Sequence, residues 1–195
     1  MRQVLPEWIT QRHTGPTSGD RGDTTLVSKE GGYVYSVITV DVDKCTGCRT
    51  CEIACSLHNY GECNPSRSRI SIIRTQDEGL ISTVPVVCQQ CVKPLCLNMC
   101  PAEALTRDPK TNAVVVNRDR CLGCRTCVYV CPFGAPAVDT RLGVAQKCDL
   151  CGGEPACVAV CPKKALSFVE ADEESVRRKR AGVRKYLAEL TSAAE

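Results

Sequence analysis

"CLGCRTCVYVCP", Cys121 to Pro132, sets four cysteines within eleven residues and closes on proline, a C-x2-C-x2-C-x3-C-P run. Read outward from it, the chain repeats the quartet three more times, and only the middle gap changes length. Motif one is Cys45, Cys48, Cys51 and Cys55, with gaps of 2, 2 and 3 residues. Motif two is Cys88, Cys91, Cys96 and Cys100, with gaps of 2, 4 and 3 before Pro101. Motif three is the opening stretch, Cys121, Cys124, Cys127 and Cys131. Motif four is Cys148, Cys151, Cys157 and Cys161, with gaps of 2, 5 and 3 before Pro162. Sixteen of the seventeen cysteines are used, and Cys63 is left over.

Composition narrows what such quartets do. The chain has 195 residues, enough for one domain or two small ones, and only 4% are aromatic, thin material for a conventional core. Seventeen cysteines imply a disulfide scaffold or a metal protein, and a scaffold of that kind belongs to small secreted chains with a signal peptide. The N-terminal stretch MRQVLPEWITQRHTGPTSGDRGD has no apolar signal core and no twin arginine. No stretch approaches the ~18 apolar residues of a membrane span. The expectation is a soluble, cytoplasmic, reduced protein.

In a C-x2-C-x2-C-x3-C-P run three thiolates grip one 4Fe–4S cluster and the fourth ligates another. The short gaps wrap the backbone tightly round a compact cluster, the last gap opens a helical turn, and the proline ends the hydrogen bonding. Gly47 and Gly123 supply conformations closed to other residues. Ile53, Val128, Val130, Val158 and Val160, lying between ligands, are expected to shield the clusters from water. The formal charge of +3 counts every thiol as neutral. With sixteen thiolates on four clusters whose inorganic cores carry about +2 each, the net becomes about −5. No nucleic-acid partner is expected, because basic residues are spread out apart from Arg177 to Arg180 and the aromatics offer no stacking platform.

The connections decide which motifs pair. PAEALTRDPKTNAVVVNRDR, between motifs two and three, reads as a helical turn, a D-P-K-T-N turn and a strand over Ala113 to Asn117 that leads into Cys121. Motif four ends in the similar CPKKALSFVE with no motif after it, and motif one follows a strand-like YVYSVITVDVD with no motif before it. The two orphan halves complete each other, so one module is nested inside the other. Cluster one is then expected on Cys45, Cys48, Cys51 and Cys161, and cluster two on Cys55, Cys148, Cys151 and Cys157. Cluster three falls to Cys88, Cys91, Cys96 and Cys131, and cluster four to Cys100, Cys121, Cys124 and Cys127. The fold class is α+β, two nested ferredoxin-like modules. Residues 33–87 and 132–170 form the outer module and 88–131 the inner one, with an N-terminal arm at 1–32 and a C-terminal helix and tail at 171–195.

This four-motif pattern resembles the iron–sulfur subunits of molybdenum and tungsten oxidoreductases, the dimethyl sulfoxide reductase electron-transfer subunit type, over about residues 33–170. CSLHNYGECNPSRSRI, Cys55 to Ile70, is similar to the small polyferredoxin subunits that accompany tungsten aldehyde oxidoreductases and benzoyl-CoA reductases. It is also similar to the ferredoxin-like partners of carbon monoxide dehydrogenase and membrane hydrogenases. The chain departs from the larger subunits in lacking long insertions and in placing Ser56, not proline, after Cys55. The resemblance implies a catalytic tungsten or molybdenum pterin subunit as partner, with a flavin subunit or another copy of the chain at the other end.

No dinucleotide loop, phosphate loop, HExxH motif or cysteine–histidine set free of cluster duty is found, so the expected role is non-catalytic relay of single electrons. A freestanding polyferredoxin, or the relay subunit of a hydrogenase or carbon monoxide dehydrogenase, would carry the same motifs. A zinc protein would use C-x2-C knuckles too, but it favours two separated knuckles and often histidine, and only His13 and His58 exist. Cys63 reads as a small buried thiol, His58 as a surface or packing residue, and Lys147 equally as a solvated lysine or as a charge acting on a cluster. In the arm, Leu5 and Trp8 are the sizeable apolar anchors; in the tail, Val176, Val183, Leu187 and Leu190 share a helix face.

Overall fold

The computed structural model describes residues 35–77 and 80–171, so the N-terminal arm and the C-terminal helix lie outside the described residues. Among the latter, eight strands follow in order: β1 (Ser36–Val40), β2 (Ile70–Asp77), β3 (Leu80–Val87), β4 (Leu105–Arg107), β5 (Val114–Val116), β6 (Ala137–Val138), β7 (Ala145–Gln146) and β8 (Leu166–Glu170). They form two-stranded sheets in the pairs β1–β8, β2–β3, β4–β5 and β6–β7, all antiparallel. The long-range pair is β1–β8, with Ser36 opposite Glu170 and Val40 opposite Leu166. Its β-branched SVITV run buries Val37 and Ile38, each 1% exposed. By contrast β4–β5 closes locally, with Leu105 opposite Val116.

Four helices carry the motifs: α1 (Thr50–Tyr60), α2 (Leu95–Asn98), α3 (Thr126–Tyr129) and α4 (Ala156–Ala159). In each the second residue is the motif's third cysteine, Cys51, Cys96, Cys127 or Cys157. Where proline follows the fourth cysteine, at Pro101, Pro132 and Pro162, the helix is four residues long, because proline has no N–H to continue the ladder. Motif one has Ser56 instead, and α1 runs eleven residues before Gly61, at φ +68, ends it by donating to the Leu57 carbonyl at 2.9 Å.

The variable middle gap also has a cause. Before α1 and α3 the chain turns through left-handed Arg49 and Arg125, at φ +61 and +65, whereas α2 and α4 begin after Pro94 and Pro155. The extra residues of motifs two and four lead into those prolines. At Gly123, φ is +64, and a Cβ would stand 2.1 Å from the Gly143 carbonyl oxygen, so this motif loop and the 139–143 turn touch only because the residue is glycine.

The main core joins Ile38, Ile70, Val87, Leu150 and Leu166 to the thiols of Cys51, Cys55, Cys88, Cys148 and Cys157. A second, smaller one joins Leu105, Val114 and Ala145 to Cys127. Val128 and Val158 pack on these cores as expected, but Ile53 and Val160 are 39% and 40% exposed and shield nothing. They lie on the outward side of helices whose inward side carries the cysteines. The strand after motif two appears at Val114–Val116, and the preceding segment yields β4 as well as turns.

Candidate metal centres

Motif one wraps an open recess of about 370 Å³ whose walls include Cys45, Cys48, Cys51 and, from motif four, Cys161. The β1–β8 ladder brings Cys161 there, and Ile72 and Pro85 of the β2–β3 hairpin close another side. The hairpin also fixes the loop, since Thr83 Oγ1 donates to the Cys45 carbonyl at 3.0 Å and Arg74 Nη2 to the Gly47 carbonyl at 3.3 Å. Burial, then Glu52, and then the charges of Cys45 and Cys48 push the Cys51 thiol up to about 12. Glu52 itself is buried and bound, taking the Ile72 N–H at 2.8 Å and pairing with Arg49.

The other thiols show their neighbours in the same way. Burial raises Cys157 to about 12, and Cys55, Cys151 and Cys51 add to the rise; Cys151, raised to about 11, feels Asp149 and Cys55. Cys96 is raised by burial and by Cys88, Cys131 and Cys91, against the pull of Lys147. Cys127 is raised to about 11 by burial, Cys121, Cys96, Cys124 and Cys100. Cys148 is held well above its ordinary value by burial and by Cys88. Cys161 lines the motif-one recess with Cys45, Cys48 and Cys51. The charges of Cys55, Cys151 and Cys51 reach Cys157; those of Cys88, Cys131 and Cys91 reach Cys96; those of Cys121, Cys96, Cys124 and Cys100 reach Cys127; and that of Cys88 reaches Cys148.

Three contacts run between thiols of different motifs. Cys51 bears on Cys157 where α1 packs on α4, and Cys96 bears on Cys127 where α2 packs on α3. Between them Cys88 bears on Cys148, a seam that buried Gln90 bridges: its Nε2 donates to the Cys148 carbonyl at 2.9 Å, and its Oε1 accepts the Val114 N–H at 3.1 Å.

The sulfurs accept hydrogen bonds. Backbone N–H groups of Arg69, Ala104, Ala145 and Ala165 donate to Sγ of Cys55, Cys100, Cys121 and Cys161 at 3.2–3.4 Å. Asn59 Nδ2 donates to Cys55 Sγ at 3.6 Å. Cys48 and Cys124 are exposed, and the hydroxyls of Thr50 and Thr126 beside them hold both thiols below their ordinary range. None of these donors was marked by the cysteine spacing; Thr50 and Thr126, each two residues after a second cysteine, share a sequence position that could have found them.

The donor set fits an iron–sulfur cluster. Round one zinc ion at about 2.3 Å, four thiolates stand about 3.8 Å apart. Among the described residues no three His, Cys, Asp or Glu side chains converge on a point in that way. Cys45, Cys48, Cys51 and Cys161 line an open recess, and backbone N–H groups donate to the sulfurs of Cys100, Cys121 and Cys161. Burial that holds a free thiol neutral is overcome when iron takes the thiolate.

Three sequence expectations need correction or placing. Cys63 is exposed, not buried, because it sits in the loop after α1. Lys147 is 2% exposed, not solvated, because β7 carries it into the seam. His58 lies partly buried in the last turn of α1, outside the thiol sets. Among the described residues no helix is long and apolar enough to cross a membrane.

Comparison with known proteins agrees with this chemistry. A 4Fe-4S dicluster domain matches residues 79–171, and a 4Fe-4S binding domain matches residues 42–61. The aliphatic sulfonate oxidoreductase polyferredoxin-like subunit of Pyrococcus furiosus is 44% identical over 72% of this chain and 82% of its own length. The thiosulfate reductase electron transfer subunit PhsB of Salmonella typhi is 36% identical over 73% of this chain and 79% of its own. The active site complex BamBC of benzoyl coenzyme A reductase is 26% identical over 82% of this chain and 91% of that chain, at a TM-score of 0.41. With relatives of that identity and coverage, and 4Fe-4S domains matched on both sides of the β2–β3 turn, the chain belongs to the family of 4Fe–4S iron–sulfur electron-transfer subunits.

Proposed function

We propose that the chain is a non-catalytic relay that holds four 4Fe–4S clusters in a row and passes single electrons between a catalytic subunit and an external carrier. Each cluster, when bound, takes up or releases one electron between its 2+ and 1+ cores. The single observation that carries the reading is that Cys161 of motif four lines the motif-one recess with Cys45, Cys48 and Cys51; the charges that Cys55 exerts on Cys157, Cys131 on Cys96 and Cys100 on Cys127 accord with the other pairings. That grouping supports the nested ligation: clusters one and two on the outer module, 33–87 with 132–170, and clusters three and four on the inner one, 88–131. Cys148 completes cluster two.

The chain's own residues do the remaining work. The N–H groups of Arg69, Ala104, Ala145 and Ala165 oppose the negative charge that a reduced cluster places on sulfur. Ile38, Leu150 and Leu166 keep water from the middle of the row. A tungsten or molybdenum pterin enzyme is the catalytic partner we favour. Its support is the oxidoreductase subunit names of the relatives together with the motif resemblance.

Iron and acid-labile sulfide on anaerobically purified protein test the reading, with an EPR spectrum after dithionite reduction. About sixteen of each per chain, with the broad spectrum of interacting reduced clusters, is expected. Zinc without sulfide would end the relay proposal. Purification at fixed stoichiometry with a pterin enzyme is the expected result for the partner, and isolation of the chain alone would make it a freestanding polyferredoxin.

A further inference from the structure

Four charged side chains are buried among the described residues: Glu52, Arg69, Asp139 and Lys147. Three have an ion-pair partner. Glu52 pairs with Arg49, Arg69 with Asp149 at 2.6 Å, and Asp139 with Arg67 at 2.7 Å. Lys147, 2% exposed, forms no ion pair among the described residues; its ammonium donates to the Val114 carbonyl and, at 2.9 Å, to the Cys148 carbonyl. Two carbonyl dipoles are poor compensation for a buried ammonium, which is costly to bury unless an anion stands near it.

Lys147 stands at the join of motifs two and four: its ammonium and Gln90 Nε2 donate to the same Cys148 carbonyl, and Gln90 Oε1 takes the N–H of Val114, whose carbonyl the ammonium also binds. Gln90 itself lies between Cys88 and Cys91 in motif two. On the proposed ligation Cys148 belongs to cluster two, and Cys88 and Cys91 belong to cluster three.

We infer that Lys147 is a fixed cation shared by the two central clusters, holding both of their reduction potentials up so that the buried step of the relay stays passable. The inference rests on the four-cluster reading. Reduction of either cluster by one electron from its neighbour adds one negative charge to a site with little water, which burial disfavours and a nearby cation favours. Lys147 is thus a positioning residue for the potential, not a ligand.

Lys147→Gln keeps an amide donor for the two carbonyls and removes the charge; Lys147→Arg keeps the charge. In EPR-monitored redox titrations of the full chain, the Gln protein should show two of its four midpoints lowered. A tenfold shift in each reduction equilibrium is expected, about 59 mV for one electron. The other two midpoints should stay in place, and the Arg protein should match wild type. Gln90→Glu, which sets an anion against the same Cys148 carbonyl, should lower the same two midpoints and decides the matter if the Gln protein assembles poorly. Unchanged midpoints in both neutralising variants, or four midpoints moving together, overturn the inference. Iron and sulfide far from about sixteen in the wild type would instead mark failure of the four-cluster reading.

Discussion

Cys131 tests the nested ligation at the scale of one residue. It ends motif three, yet its charge is felt by Cys96 of motif two. Cys131→Ser and Cys91→Ser should therefore perturb the same component of the reduced EPR spectrum, while Cys124→Ser perturbs a different one. If Cys131→Ser instead reproduces the Cys124→Ser spectrum, the fourth cysteine serves its own motif and the pairing is wrong. The proposed ligands are read from spacing alone, because a compact cluster fixes how far apart its thiolates lie along a short loop. The polar residues round them are not. Arg69 and Gln90 carry no signal in the spacing and Lys147 reads either as solvated or as a charge on a cluster, while their burial is set by partners as much as 80 residues away, such as Asp149 for Arg69.

Among the elements, α1 differs most from its three counterparts, and the difference traces to Ser56. This residue is fully buried; its hydroxyl donates to the Ile53 carbonyl at 3.0 Å and accepts the Asn64 N–H at 3.1 Å. Just under one turn further, the helix presents Asn59 to the Cys55 carbonyl and sulfur at 2.8 and 3.6 Å. Ser56→Pro would give motif one the proline of the other motifs, but it would break a helix that here must continue. A loss of about 3 kcal/mol or more is expected. Ser56→Ala should cost only about 1 kcal/mol for its hydrogen bonds. Apparent thermal midpoints of the loaded proteins should fall in that order, and equal losses would mean that the run to Tyr60 is dispensable. The missing proline was visible in the sequence and pointed to this helix. The β2–β3 hairpin was not: Pro85, opposite Ile72, argues against a strand on local grounds. It is tolerated because a two-stranded sheet has free edges on both sides.

Among the described residues, thiol exposure accords with the proposed row of four clusters. The exposed thiols among the proposed ligands, Cys48 and Cys124, fall in the proposed first and last clusters; the proposed second cluster has three buried thiols, Cys55, Cys148 and Cys157, and each of the other three has one, Cys51, Cys88 or Cys127. Electrons enter and leave a protein where a cluster approaches its surface, so the terminal sets suit exchange with partners and the central ones suit transit. Exposure that favours exchange also favours attack. An oxidant such as ferricyanide, with a chelator to trap released iron, should strip the terminal clusters first. Release should be biphasic, with about half of the iron in a fast phase, since each 4Fe–4S cluster carries the same share. The EPR component assigned to Cys124 should vanish in that phase, and the one shared by Cys91 and Cys131 should persist. A single phase, or early loss of the Cys91 component, would mean that the central sites are open to solvent, and the linear arrangement would have to be redrawn.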